Sequence, residues 1–362
     1  MSFFYSSTLG SPFEPMAQSA AERVIDDVEA FIRSNGKTHR ELAQLAEVDP
    51  VLFTLFMQRK FPADWATIAR QTDAMISRLR RQADRAAQMP VMTRVVTATL
   101  GVVNVLLQDG GIALLQGDSG TGKTDSLKAV ELKFEGVIRM TASTARARPK
   151  PMLEDIGERM GLSYCSRATA DTYHAVRSRL TGYKLLIVDE VHKYIGAPDC
   201  LHVLRDLANE TNVPQLWAAT SDLLRYLDRR TGHWKDPFAQ IRSRITHKID
   251  LADATDSLVS IGNIHEIAGS KFGLKLDRAA AVDLADLANL NNEGSLRLVE
   301  NALKNAKRLA IAGKLEIVDS RVIRRCFEKV LSKRTLARIQ STRPAMPAQA
   351  DKPQDGSIRA TA

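Results

Sequence analysis

Apolar residues recur with two different periods along this chain, and the change of period divides it. Over residues 21–34 (AERVIDDVEAFIRS), Val24, Val28, Phe31 and Ile32 fall on one face of a helix that Asn35-Gly36 stops. A compact helical cluster continues to about Arg85, a linker is expected around Gln88-Met89-Pro90, and a helical stretch over 93–108 leads into Asp109-Gly110-Gly111. Short apolar runs then take over: GIALLQ (111–116), GVIRMT (136–141), KLLIVD (184–189) and PQLWAAT (214–220), with a last strand over 245–251. Helical periodicity separates them, the alternation expected of a parallel sheet with crossover helices. From 256 to 330 only helices are expected.

The ends differ in composition. Residues 1–20 are rich in Ser, Pro and small side chains without periodicity, and 332–362 carry Pro344, Pro347 and Pro353 among Ala, Gln, Ser and Thr. Both are expected to be disordered. The reading is therefore a leader (1–20), a small helical domain (21–88), an α/β domain (93–252), a helical domain (253–331) and a basic tail (332–362).

Hydrophobic residues make up 44% and charged residues 26% of the 362, enough apolar surface for a sizeable core. The longest mostly apolar stretch, Val95 to Leu107, is interrupted by Thr97, Thr99 and Asn104 and falls short of the ~20 residues of a membrane span. No membrane partner is expected. The N-terminus lacks a basic region followed by an apolar one, and Cys165, Cys200 and Cys326 are far apart and odd in number, so a reducing, cytoplasmic setting is expected. The net charge of +9 is concentrated: residues 51–100 hold eight basic and three acidic side chains, 332–362 six and two. A polyanionic partner would suit that distribution.

Gly117-Asp118-Ser119-Gly120-Thr121-Gly122-Lys123-Thr124 is a complete G-x-x-x-x-G-K-T between an expected strand and the helical run opened by Asp125. Glycines at this spacing let backbone N–H groups turn toward phosphate oxygens, and residues 117–125, Asp125 included, are expected to face the nucleotide. Lys123 reaches the β- and γ-phosphates of ATP, and the Thr124 hydroxyl ligates Mg²⁺. Asp189 and Glu190 close the run LLIVDE at the carboxyl end of a strand. There Asp189 would hold the Mg²⁺ shell and Glu190 would orient or deprotonate the attacking water. Thr220 ends another strand, where its hydroxyl could meet the γ-phosphate. Arg242 and Arg244 stand just before the last strand, either one placed to reach a neighbouring subunit's γ-phosphate. Gly294-Ser-Leu-Arg297 opens a helix whose arginine can fold back over the nucleotide.

These features together resemble an AAA+ ATPase: a P-loop parallel sheet with crossover helices, followed by an all-helical lid. Within that group the chain is most similar to the target-selection ATPases of bacterial transposons typified by the phage Mu B transposition protein. The phrases LLIVDEVHKYIGAPDCLHVLRDL, FAQIRSRI and SLRLVENALKNAKRLAIAGK carry the resemblance, which spans about residues 94–331. It implies a protein that assembles on double-stranded DNA as a homo-oligomer, ring or helical filament, and recruits a transposase.

The N-terminal cluster is compatible with that. Residues 40–60 read as helix, tight turn, helix, with Asp49 as N-cap and Pro50 first in the second helix. Leu42, Ala43, Val48, Phe53 and Phe56 fall where a helix-turn-helix needs apolar contacts, and Thr54, Gln58, Arg59 and Lys60 would face DNA. Glu47 stands where such turns usually have glycine. Arg146, Arg148 and Lys150 in TARARPKP are further candidates for phosphate contacts. Two other functions fit the same residues: a helix-turn-helix transcriptional regulator under ATP control, and an AAA+ module acting on a protein partner.

Overall fold

The computed structural model describes residues 18–61, 64–162, 168–228, 238–251, 258–290 and 296–331. The chain divides into two compact units, Met1–Met89 and Pro90–Ala362. The expected leader up to residue 17, the tail from 332, Cys165, Gly294 and Ser295 lie outside the described residues.

The first unit consists of α1 (Gln18–Asn35), α2 (His39–Leu45), α3 (Pro50–Met57) and α4 (Trp65–Ala87). The first helix begins three residues earlier than its periodicity suggests, at Gln18. Its apolar stripe packs with Leu42, Phe53, Phe56 and Ile76 into one cluster. Thr38 and Glu41 form a reciprocal capping box on α2, and the Asp49 carboxylate accepts from the N–H groups of Val51 and Leu52 to start α3. Glu47 takes the glycine place in the turn at φ 56°, a left-handed conformation that costs a side-chain-bearing residue ~1–2 kcal/mol. Burial of Val48 beside it offsets the strain.

The second unit opens with α5 (Arg94–Asp109), β1 (Ile112–Gln116), α6 (Lys123–Lys133), β2 (Val137–Thr141), α7 (Pro149–Arg159) and α8 (Thr169–Leu180). It continues with β3 (Leu185–Asp189), α9 (Pro198–Thr211), β4 (Gln215–Ala219), α10 (Ser221–Leu227), α11 (Ala239–Arg242) and β5 (Ile245–Asp250). The five strands are parallel, in the order β2-β3-β4-β1-β5. Every residue of β1, β3 and β4 is buried, which is why those runs are almost wholly apolar; β2 and β5, at the edges, are only partly covered. No helix among the described residues is long and apolar enough to cross a membrane.

A separate apolar cluster, including Ile264, Leu284, Val299, Leu303 and Phe327, holds the last part together. It comprises α12 (Ile261–Ile267), β6 (Lys275–Leu276), α13 (Arg278–Ala288), α14 (Leu296–Gly313), β7 (Ile317–Val318) and α15 (Ser320–Val330). The expectation of helices alone over 256–330 is corrected here: β6 and β7 form a small parallel pair. Two residues are too few to show a period, and their partners are distant in sequence. TARARPKP is likewise no plain loop, since Thr144–Arg146 is a 3-10 turn and Pro149 begins α7.

Candidate nucleotide site

The carboxyl end of the central strand β1 delivers the glycine-rich loop. Gly117 is required by close approach: a Cβ there would stand 2.9 Å from Leu251 Cβ. Gly120 and Gly122 adopt φ 84° and 94°, turning the backbone into α6. That helix starts at Lys123 itself rather than at Asp125. Lys123 is 6% exposed, and its Nζ donates to the carbonyls of Gly117 (2.6 Å) and Asp118 (2.7 Å). Burial pushes the ammonium pKa down, while the carboxylates of Glu190, Asp189 and Asp118 oppose that shift. A phosphate would give this charge an anionic partner that the loop carbonyls cannot. Lys123→Ala is expected to weaken ATP binding ~10–10²-fold, the worth of a charge-assisted bond of ~1.5–3 kcal/mol. Unchanged affinity in calorimetry would sink the phosphate-loop reading.

Two strands away, β3 ends in Asp189, and Glu190 follows it directly. The Asp189 carboxylate is buried, and its Oδ2 accepts from Arg139 Nη2 at 2.9 Å; Arg139 also bonds Glu131 at 3.0 Å. Asp189 Oδ1 is buried without a hydrogen-bond partner among the described residues. Such an oxygen costs ~1–3 kcal/mol, and a hard cation or its bound water would satisfy it. With the exposed Thr124 hydroxyl at the start of α6, the donor set is all oxygen and fits Mg²⁺. Glu190 lines the same concavity as Ser119, Lys123 and Thr124. Thr220 caps α10 just past β4, its N–H donating to His192 Nδ1 at 3.4 Å and its hydroxyl to Asp222 Oδ2 at 3.4 Å. Neither Arg139 nor His192 is marked out by any sequence motif.

The helical part closes the other side. Leu296 N–H donates to Gly120 O at 2.8 Å, which sets the start of α14 against the glycine loop. Arg297, the second residue of α14, is exposed and lines the concavity with Glu300. Lys271 Nζ bonds Glu300 Oε1 (2.8 Å) and Asp125 Oδ2 (3.2 Å). Burial works against the Lys271 ammonium, but these bonds leave its pKa above the usual lysine value. Asp125, expected to face nucleotide, thus also ties α6 to the helical part. No local pattern could reveal a pairing across so many residues.

Residues 106–227 match the family described as AAA domain. No curated protein matches the sequence. Among solved structures, the Aeropyrum pernix ORC2 protein (ADPNP-ADP complexes) is similar at 16% identity over 67% of this chain and 73% of that one, with a TM-score of 0.51. The Aeropyrum pernix ORC1 protein in complex with DNA is similar at 17% identity over 70% of each chain, with a TM-score of 0.49. The Thermotoga maritima RuvB Holliday junction branch migration motor follows at 18% identity over 65% and 68%, with a TM-score of 0.39. The AAA domain and the ORC2 likeness establish the fold, a P-loop AAA+ sheet followed by a helical part. The resemblance to transposon target-selection ATPases rests on the sequence phrases alone.

The two arginines before β5 stand in different settings. Arg242 donates to the Leu227 carbonyl and lies 4.0 Å from Asp228, so it serves its own α10. Arg244 is exposed, and only its backbone carbonyl joins the sheet, accepting from Ile112 N–H at 3.0 Å. Among the residues considered for DNA, Arg146 pairs with Asp155 (2.7 Å) and Glu154 (3.6 Å), and Lys150 approaches Glu154 at 4.0 Å. Arg148 is exposed. In the first unit Thr54, Gln58 and Lys60 are exposed, whereas Arg59 bonds Asp26 at 2.7 Å.

Proposed function

We propose that the chain is a cytoplasmic ATPase that uses ATP to assemble as a homo-oligomer on duplex DNA, grips it largely without regard to sequence, and marks it as a target for a transposase. The observation that carries the switch is the contact of α14 with the glycine loop, through Leu296 N–H and Gly120 O. Glu190 and Arg297 line one concavity there, so a γ-phosphate would engage the sheet and the helical part together. Lys123 would neutralise the β- and γ-phosphates, Thr220 would bond the γ-phosphate or its water, and Glu190 would take the water's proton. Thr124 and Asp189 would hold Mg²⁺, which when bound supplies positive charge to the phosphate oxygens. Arg244 of a neighbouring copy would complete the pocket, and hydrolysis would release the assembly.

The surface of α3 supports sequence-independent binding over an operator-reading regulator. A helix-turn-helix reads base edges with the N-terminal residues of its second helix. Here those are Pro50, Val51 and Leu52, with Val51 67% exposed, and the Thr54 hydroxyl donates back to Pro50 O at 2.7 Å. Gln58 and Lys60 lie exposed at the other end, suited to phosphates. The transposase as partner rests on the sequence resemblance.

Affinity for random duplex DNA is expected to require ATP and to fall steeply with salt, each neutralised phosphate adding about −0.9 to the log–log slope. Anisotropy titrations at several salt concentrations test this, and equal binding without nucleotide would count against it. A transposase encoded beside this gene should be stimulated by the chain only with ATP and DNA present.

A further inference from the structure

Glu190 is held in an unusual backbone conformation, φ 60° and ψ 32°, at the end of a fully buried strand. For a residue with a side chain the left-handed region costs ~1–2 kcal/mol, so its neighbours must hold it there. The next residues, Val191–Tyr194, form a 3-10 turn whose two ends are buried in the α/β core. That anchoring aims His192 and Lys193, the two residues between, toward the site.

His192 touches both sides of the catalytic crevice. Its Nδ1 accepts from the Thr220 N–H at 3.4 Å, where β4 passes into α10. In a neutral imidazole whose Nδ1 accepts, Nε2 carries the proton. Nε2 faces Glu190 Oε2 at 3.7 Å, and Lys193 Nζ stands 3.4 Å from the same oxygen. Burial pushes the ring pKa below the ordinary histidine value. The carboxylate of Glu190 on its own turn opposes this, the ammonium groups of Lys193 and of Lys123 on α6 reinforce it, and Asp222 on α10 opposes it. Burial thus favours the neutral ring.

We infer that His192 is a positioning residue that holds the Glu190 carboxylate in register with the Thr220 backbone, so one ring sets the base against the strand end whose residue meets the γ-phosphate. The inference rests on Glu190 acting as the base. Protonation of the ring removes the acceptor for Thr220 N–H and draws the carboxylate toward the imidazolium. Hydrolysis then falls on the acid side, below pH 6.5, in a limb that belongs to His192 rather than to Glu190.

The full chain is compared with H192Q, H192A and E190Q by kcat and KM for ATP across pH, alongside the Kd of a fluorescent ATP analogue. Glutamine can accept from Thr220 N–H through its amide oxygen and donate to Glu190 without titrating. H192Q is expected to keep near wild-type kcat at neutral pH and to lose the histidine limb. H192A is expected to lose ~10²-fold in kcat with nucleotide Kd unchanged, the scale of a misplaced catalytic group. A wild-type kcat in H192A, an H192Q as slow as H192A, or a wild-type acid limb in H192Q would each overturn the inference. If E190Q hydrolyses ATP at the wild-type rate, the base reading itself fails. An inactive E190Q beside wild-type His192 variants removes only the role given to the ring.

Discussion

Arg244→Ala is expected to bind ATP with nearly normal affinity while losing hydrolysis by ~10³–10⁵, the range for an arginine supplied to a neighbour's phosphate. The sheet register explains why its own phosphates are out of reach. Ile245 pairs with Ile112 at the start of β1, whereas the glycine loop follows Gln116 at the other end. Five residues of strand at ~3.3 Å each separate the two by ~16 Å. Assembly on DNA that depends on ATP should disappear with hydrolysis. Mixing makes the test specific, because an Arg244→Ala subunit keeps an intact pocket and a Lys123→Ala subunit keeps an intact finger. The mixture should recover part of the ATPase activity that neither shows alone, assayed with saturating DNA. If the two co-assemble and remain inactive, Arg244 is not the finger, and Arg242 is the next candidate despite its bond to the Leu227 carbonyl.

Glu190→Gln should retain ATP and lower hydrolysis by ~10²–10⁴, because an amide cannot accept the water's proton. The substitution keeps the size of the side chain and its place in the concavity, so the binding surface around Lys123 and Thr124 is preserved. With hydrolysis blocked, complexes on duplex DNA should persist after excess competitor DNA is added, whereas wild-type complexes decay as ATP is consumed. Rapid decay of the Glu190→Gln complexes would separate release from hydrolysis. Hydrolysis at the wild-type rate would show that another residue activates water.

Much of the architecture was legible in the chain because it is governed by local rules. A strand buried on both faces must be apolar throughout, so Leu114, Ile187 and Trp217 announce their strands directly. Phosphate binding at a strand-to-helix turn demands glycines at set positions, and Asp49-Pro50 starts a helix by chemistry confined to neighbouring residues. The order of the expected strands and helices is thus carried by period and punctuation. Other features depend on residues far apart in sequence that meet only in the folded chain. The Arg139 bond to Asp189, the Lys271 bridge between Asp125 and Glu300, the docking of Leu296 on Gly120 and the short β6–β7 pair are all of this kind. So is the contrast between Arg242 and Arg244, two residues apart and equivalent by motif. The neighbourhood of each arginine is set by packing of α10 and α11 against the sheet, and its energy comes from contacts that have no sequence period. That is why the chain by itself determined the phosphate loop and the sheet, while only the tertiary structure decided that Arg139 bonds Asp189 and that α14 meets the glycine loop.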